Sequence, residues 1–84
     1  MILPTIHANG TPRQTLNDCY LAAYSGVLKA MADLAKVELH ARDYYPQGDE
    51  AFRKAVAQAV QARNHLDACK TYLGTIISHL METP

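Results

Sequence analysis

Eighty-four residues suffice for one small domain and leave no room for a second. Eight basic and eight acidic side chains cancel, which argues against bulk electrostatic capture of nucleic acid or anionic lipid. Apolar residues make up 49% of the chain, well above the disordered range, but 13 of those 41 are alanine, which favours helix and buries little area.

Two cysteines are too few for a disulfide-stapled secreted scaffold. The opening residues Met1-Ile2-Leu3-Pro4-Thr5-Ile6-His7 lack a basic region and do not read as a signal peptide. No apolar run approaches the roughly 20 residues of a membrane span. The expectation is a cytoplasmic protein with no membrane partner.

Residues 1–10 contain Pro4 and an Asn9-Gly10 turn signal, and read as an extended arm. Ile2, Leu3 and Ile6 suit it to packing on another surface. Helix 1 is expected over residues 11–40. Thr11-Pro12-Arg13-Gln14 has the form of a capping box, with Pro12 at the first helical position. Leu16, Tyr20, Ala23, Val27, Ala30, Leu34 and Val37 follow at alternating spacings of four and three, tracing one helix face. Leu21, Leu28 and Ala35 widen that stripe on one side, and Tyr24 and Met31 on the other.

Residues 41–48 break the pattern at Pro46 and Gly48 and form a connector. Helix 2 is expected over residues 49–81, with Asp49 as its cap and Asp49–Arg53 and Glu50–Lys54 as i,i+4 pairs. Its stripe runs Phe52, Ala55, Ala59, Ala62, Leu66, Cys69, Leu73, Ile76 and Leu80, flanked by Val56, Val60 and Ile77. Helices of roughly 45 and 48 Å at 1.5 Å per residue predict an all-α, antiparallel two-helix hairpin with an extended N-terminal arm. Pairing His40 with Asp49 then puts Leu16 near Leu73, Ala23 near Leu66 and Leu34 near Ala55. Stripes this wide are not buried by one hairpin, so a homodimer forming a four-helix bundle is expected. Gly26 and Gly74 mark either close helix approach at its seam or exposed positions.

Cys19, His65 and Cys69 would fall at one level of such a hairpin. Three of these types suggest zinc, but the close paired spacing of structural zinc sites is missing. Two buried thiols beside a solvated histidine is the reading preferred, with no metal and no cofactor. His7, His40, His65 and His79 are scattered, and no nucleophile has an assured base beside it. The expectation is a protein that is not an enzyme.

The connector Arg42-Asp43-Tyr44-Tyr45-Pro46 is the most distinctive segment. Adjacent tyrosines beside an arginine suit a protein-binding hot spot, so Arg42, Tyr44 and Tyr45 are the candidate partner-binding residues. The plainer alternative has one tyrosine closing the end of the helical core. A second function class is a dimeric nucleic-acid regulator presenting Arg53, Arg63 and Lys70, against which the zero net charge counts.

Leu3-Pro4-Thr5-Ile6-His7-Ala8-Asn9-Gly10-Thr11 and Arg42-Asp43-Tyr44-Tyr45-Pro46-Gln47-Gly48 resemble segments of small helical proteins encoded in bacteriophages and prophages. There the two segments occur in the same order, separated by a helix of similar length and followed by a second. The resemblance covers the whole chain and implies phage origin and a bacterial cytoplasmic setting. It supplies no catalytic residues. The expected partners are a second copy and an unidentified host or phage protein, as host-factor modulator or assembly component.

Overall fold

Two α-helices make up most of the computed structural model, which describes residues 1–82. The first, α1, spans Arg13–Ala35, and the second, α2, spans Ala51–Glu82. No strand occurs among the described residues, so the all-α class expected from the apolar spacing is the class found.

The start of α1 departs from the expected capping box. Pro12 is the N-cap, with φ −57° and ψ 146°, and no side chain caps the helix. Its carbonyl accepts from the Leu16 N–H at 3.1 Å. A capping hydroxyl must belong to the N-cap residue itself, and Thr11 lies one position outside it. Gln14 donates instead to Asp18 Oδ1 at 2.8 Å, one turn on.

Helix α1 ends at Ala35, short of His40. The Lys36 and Val37 N–H groups bond back to the Asp33 and Leu34 carbonyls at 3.1 and 3.0 Å, tightening the last turn. The Asp33 carboxylate takes both Lys29 at 2.7 Å and Lys36 at 3.5 Å. The chain then straightens, and His40 has an extended φ of −117° and ψ of 130°. Ala35 shares a hollow with Leu66, so the connector must travel from that level back to Ala51, about 22 Å along α2 at 1.5 Å per residue. Extended backbone covers about 3.3 Å per residue and helix less than half of that.

Helix α2 begins at Ala51, and Glu50 rather than Asp49 accepts its first helical bond, from the Lys54 N–H at 3.1 Å. The expected Asp49–Arg53 and Glu50–Lys54 pairs give way to Glu50–Arg53 at 3.6 Å, an exposed contact of little energetic weight.

The helices therefore differ in length, 23 residues against 32, and their register is not the one that matched lengths predict. The Arg13 guanidinium donates to the Leu80 carbonyl, and a Cβ on Gly74 would lie 3.5 Å from the Tyr24 ring. Leu34 lies by Leu66, where Ala55 was expected. As α1 ascends, α2 descends. The half-buried face of α1 is Leu16, Tyr20, Tyr24, Val27, Met31 and Leu34, so Tyr24 and Met31 displace the expected Ala23 and Ala30.

Leu73, Ile76, Ile77 and Leu80 form the buried core, all in the last turns of α2, and α1 contributes no fully buried residue. Each such side chain stabilises the fold by about 1.5–3 kcal/mol. Three segments meet at this end. His79 Nε2 lies 2.9 Å from the Pro4 carbonyl oxygen, which ties the arm to α2, while Arg13 ties the start of α1 to Leu80. Within the arm, the Gly10 N–H donates to the His7 carbonyl at 3.1 Å, the turn expected at Asn9-Gly10. Ile6 is half-buried; Ile2, 95% exposed, packs on nothing within the chain. The molecule measures 61 × 21 × 19 Å with a radius of gyration of 18.7 Å, against about 12 Å for a compact chain of this length.

Candidate functional site

The connector is built from two 3₁₀ turns, Ala41–Asp43 and Tyr45–Gln47. The Asp43 and Tyr44 N–H groups donate to the His40 and Ala41 carbonyls, and Gln47 and Gly48 to Tyr44 and Tyr45, at 2.9 to 3.2 Å. Pro46 sits inside the second turn at a position whose N–H has no bonding duty there. Gly48 closes the connector at φ 102° and ψ 170°, backbone that is essentially closed to residues with a Cβ. Its carbonyl accepts from Ala51, leading into α2.

This scaffold separates the two adjacent tyrosines. Tyr44 is half-buried, its ring 6.0 Å from that of Phe52 and tilted by 44°. It packs on the first turn of α2, beyond the end of α1. Tyr45 projects outward, 72% exposed, and Arg42, three residues earlier, is also exposed. Of the three residues singled out, Arg42 and Tyr45 face solvent and Tyr44 packs on Phe52.

Beneath the connector lies a hollow of about 370 Å³ between Tyr44, Gln47, Glu50, Lys54, Ala55 and Gln58. Two amides, a carboxylate, an ammonium and a phenol around a shallow opening suit hydrogen bonding to a polar segment of another chain. No serine, cysteine or histidine lines it. Gln47, Glu50, Lys54 and Gln58 do not stand out in the sequence as a site, because Gln47 and Glu50 precede α2 while Lys54 and Gln58 lie within it. Glu50 and Lys54 read there only as an i,i+4 pair, because Tyr44, which shares the hollow with them, belongs to a different element.

Cys19, His65 and Cys69 do not form a constellation. No group of three or more His, Cys, Asp or Glu able to hold a metal ion occurs among the described residues. The buried-thiol reading is also corrected, since both cysteines are exposed free thiols. The cause is again the register: with Arg13 at Leu80 and Tyr24 at Gly74, Cys19 falls closer to the level of Leu73–Ile76 than to Cys69.

The basic residues of α2 are dispersed. Arg53 stands beside Glu50, Arg63 lines a hollow with Met31, Leu34, Ala35 and Leu66, and Lys70 is half-buried. No helix among the described residues is long and apolar enough to cross a membrane.

Fold and surface together define an elongated all-helical chain with a small core at one end and a polar hollow at the other. Comparison of the chain with family models, curated proteins and solved structures finds no match.

Proposed function

We propose that this chain is a non-enzymatic, phage-type helical protein that pairs with a second copy of itself and acts by binding another protein through its connector. In this reading the subunit is an antiparallel hairpin, and two hairpins complete a four-helix bundle. Exposed area carries the reading. The chain exposes 6343 Å², whereas a compact monomer of 9.3 kDa exposes about 5,000 Å². That surplus exceeds the roughly 800 Å² that each partner contributes to a stable interface. Leu21, Leu28, Val56 and Val60, each 38–49% exposed, supply apolar surface for it.

The phage setting, and with it a host-factor or assembly partner in the bacterial cytoplasm, rests on the resemblance of the arm and connector segments alone. Exposed Arg42 and Tyr45, on the connector that also supplies Tyr44 and Gln47 to the polar hollow, support the partner surface, since arginine and tyrosine are enriched where binding energy concentrates.

Solution mass by light scattering at high micromolar concentration tests self-association. A dimer is expected, and a strict monomer overturns the reading. For the partner surface, tagged protein captures from bacterial lysate, with and without infecting phage, are compared with Arg42→Ala/Tyr45→Ala captures. A nuclease-insensitive, stoichiometric protein lost in the variant is the expected result. Captures identical in wild type and variant overturn the connector as the binding surface.

A further inference from the structure

The two flanks of the helix pair are not equivalent. At about 100° per residue, helices running in opposite directions bring flanks of the same rotational sense to the same side. Leu21, Leu28 and Ala35 of α1 therefore share a side with Val56, Val60 and Arg63 of α2. The opposite side carries Cys19, Gly26, His65 and Cys69.

Two observations separate these sides. The arm lies toward the second, because His79, which meets the Pro4 carbonyl at 2.9 Å, falls on that flank of α2, and Ile76 there is 1% exposed. The first side lacks that cover and holds, at the end of α1, a hollow of about 280 Å³ lined by Met31, Leu34, Ala35, Arg63 and Leu66. Leu28 stands one turn before Met31 on α1 and Val60 one turn before Arg63 on α2, with Leu21 two turns further along the same flank of α1, all close to half exposed.

The geometry points to this first side as the face that receives a second copy, whose apolar side chains fill the hollow, while Cys19 and Cys69 remain in solvent. The inference rests on the self-association proposed above and adds which face performs it. The occupant is a second copy because the surplus exposed area of about 1,300 Å² per chain is more than the roughly 800 Å² that each member of a stable dimer buries. A four-helix bundle built on this face removes Leu21, Leu28, Val56 and Val60 from water in both subunits.

Two measurements on the full chain test it. Leu28→Asp places a charge at a position that is 42% exposed in the single chain, so helicity is retained while the solution mass halves. A helical Leu28→Asp protein that stays dimeric overturns the inference. Bulky maleimide labelling of the wild-type dimer needs no substitution and decides the matter if that variant unfolds. Both thiols are expected to react at rates close to those in urea, with the dimer mass, corrected for label, unchanged. Protected thiols, or dissociation on labelling, place the second copy on the opposite side. A wild-type chain that is monomeric before any change is made overturns self-association itself, a result distinct from either of these.

Discussion

His79 Nε2 and the Pro4 carbonyl oxygen meet at 2.9 Å although the residues stand 75 apart in sequence. This bond fastens the arm at the end of the molecule that holds Leu73, Ile76, Ile77 and Leu80, the buried core. Arm and core are thus one stability unit. In His79→Ala the arm loses this anchor, and the loss is expected to be about 1 kcal/mol from the hydrogen bond, with packing losses added. For a chain of this size that lowers the Tm by roughly 4–8 °C. Limited proteolysis should cut residues 1–10 faster in the variant, and equal cleavage rates would show that the arm is held by other means.

Gly48 joins the connector to α2 at φ 102° and ψ 170°. Nothing lies within 4 Å of a Cβ built there, so any penalty for a side chain comes from the backbone and not from crowding. Gly48→Ala is expected to destabilise by about 1–3 kcal/mol. Urea unfolding measures this directly, and an unchanged midpoint would mean the connector adopts another path.

The orphaned oxygen of Asn17 gives a prediction of the opposite sign. Its Oδ1 is buried and finds no hydrogen-bond donor among the described residues. Leaving a buried acceptor unsatisfied costs about 1–3 kcal/mol. Asn17→Leu, which deletes the acceptor and keeps the volume, should raise the unfolding midpoint. A lowered midpoint would indicate that Asn17 has a partner in the assembled protein.

Tyr20 supplies a pH dependence. Its side-chain hydrogen bond to Tyr72 favours the protonated phenol, and desolvation and repulsion from Tyr72 add to this, raising its pKa above the ordinary 10.0. A pKa higher in the folded than in the unfolded chain gives a stability contribution that is complete below about pH 10. It is lost as pH rises from there through the folded value. Stability should therefore fall in this alkaline window, and less so in Tyr72→Phe. A ring-carbon NMR titration of Tyr20 should show its midpoint returning toward 10.0 in that variant, and an unmoved midpoint would assign the shift to burial.

Much of the fold was legible before any coordinates. Leu16, Tyr20, Val27 and Leu34 on α1, and Phe52, Ala55, Ala59, Leu66, Leu73, Ile76 and Leu80 on α2, lie on the inward faces that their spacing predicts. Pro46, Gly48 and Asn9-Gly10 do lie between helices or before the first one, but the segment joining the helices runs over 36–50 and not 41–48. Helix ends were less legible. The stop at Ala35 carries no glycine or proline signal, so the spacing of apolar residues ran past it.

The candidate site divides in the same way. Arg42, Tyr44 and Tyr45 stand out by residue type, but only the tilted contact between Tyr44 and Phe52 shows which tyrosine packs on α2 and which projects. The hollow joins residues of the connector to residues of α2, and no spacing within one element reveals it.

Sequence alone determined the helical class, the two apolar faces and the breaks between segments, because periodicity and backbone chemistry act over a few neighbouring residues. Tertiary structure alone decided the register, and with it that Cys19 and Cys69 stand apart, that the core gathers at the arm end, and that one flank stays open. Register depends on how far α1 extends and how the connector returns. Both are settled by contacts such as Arg13 with Leu80 and Tyr24 with Gly74, between residues far apart in the chain.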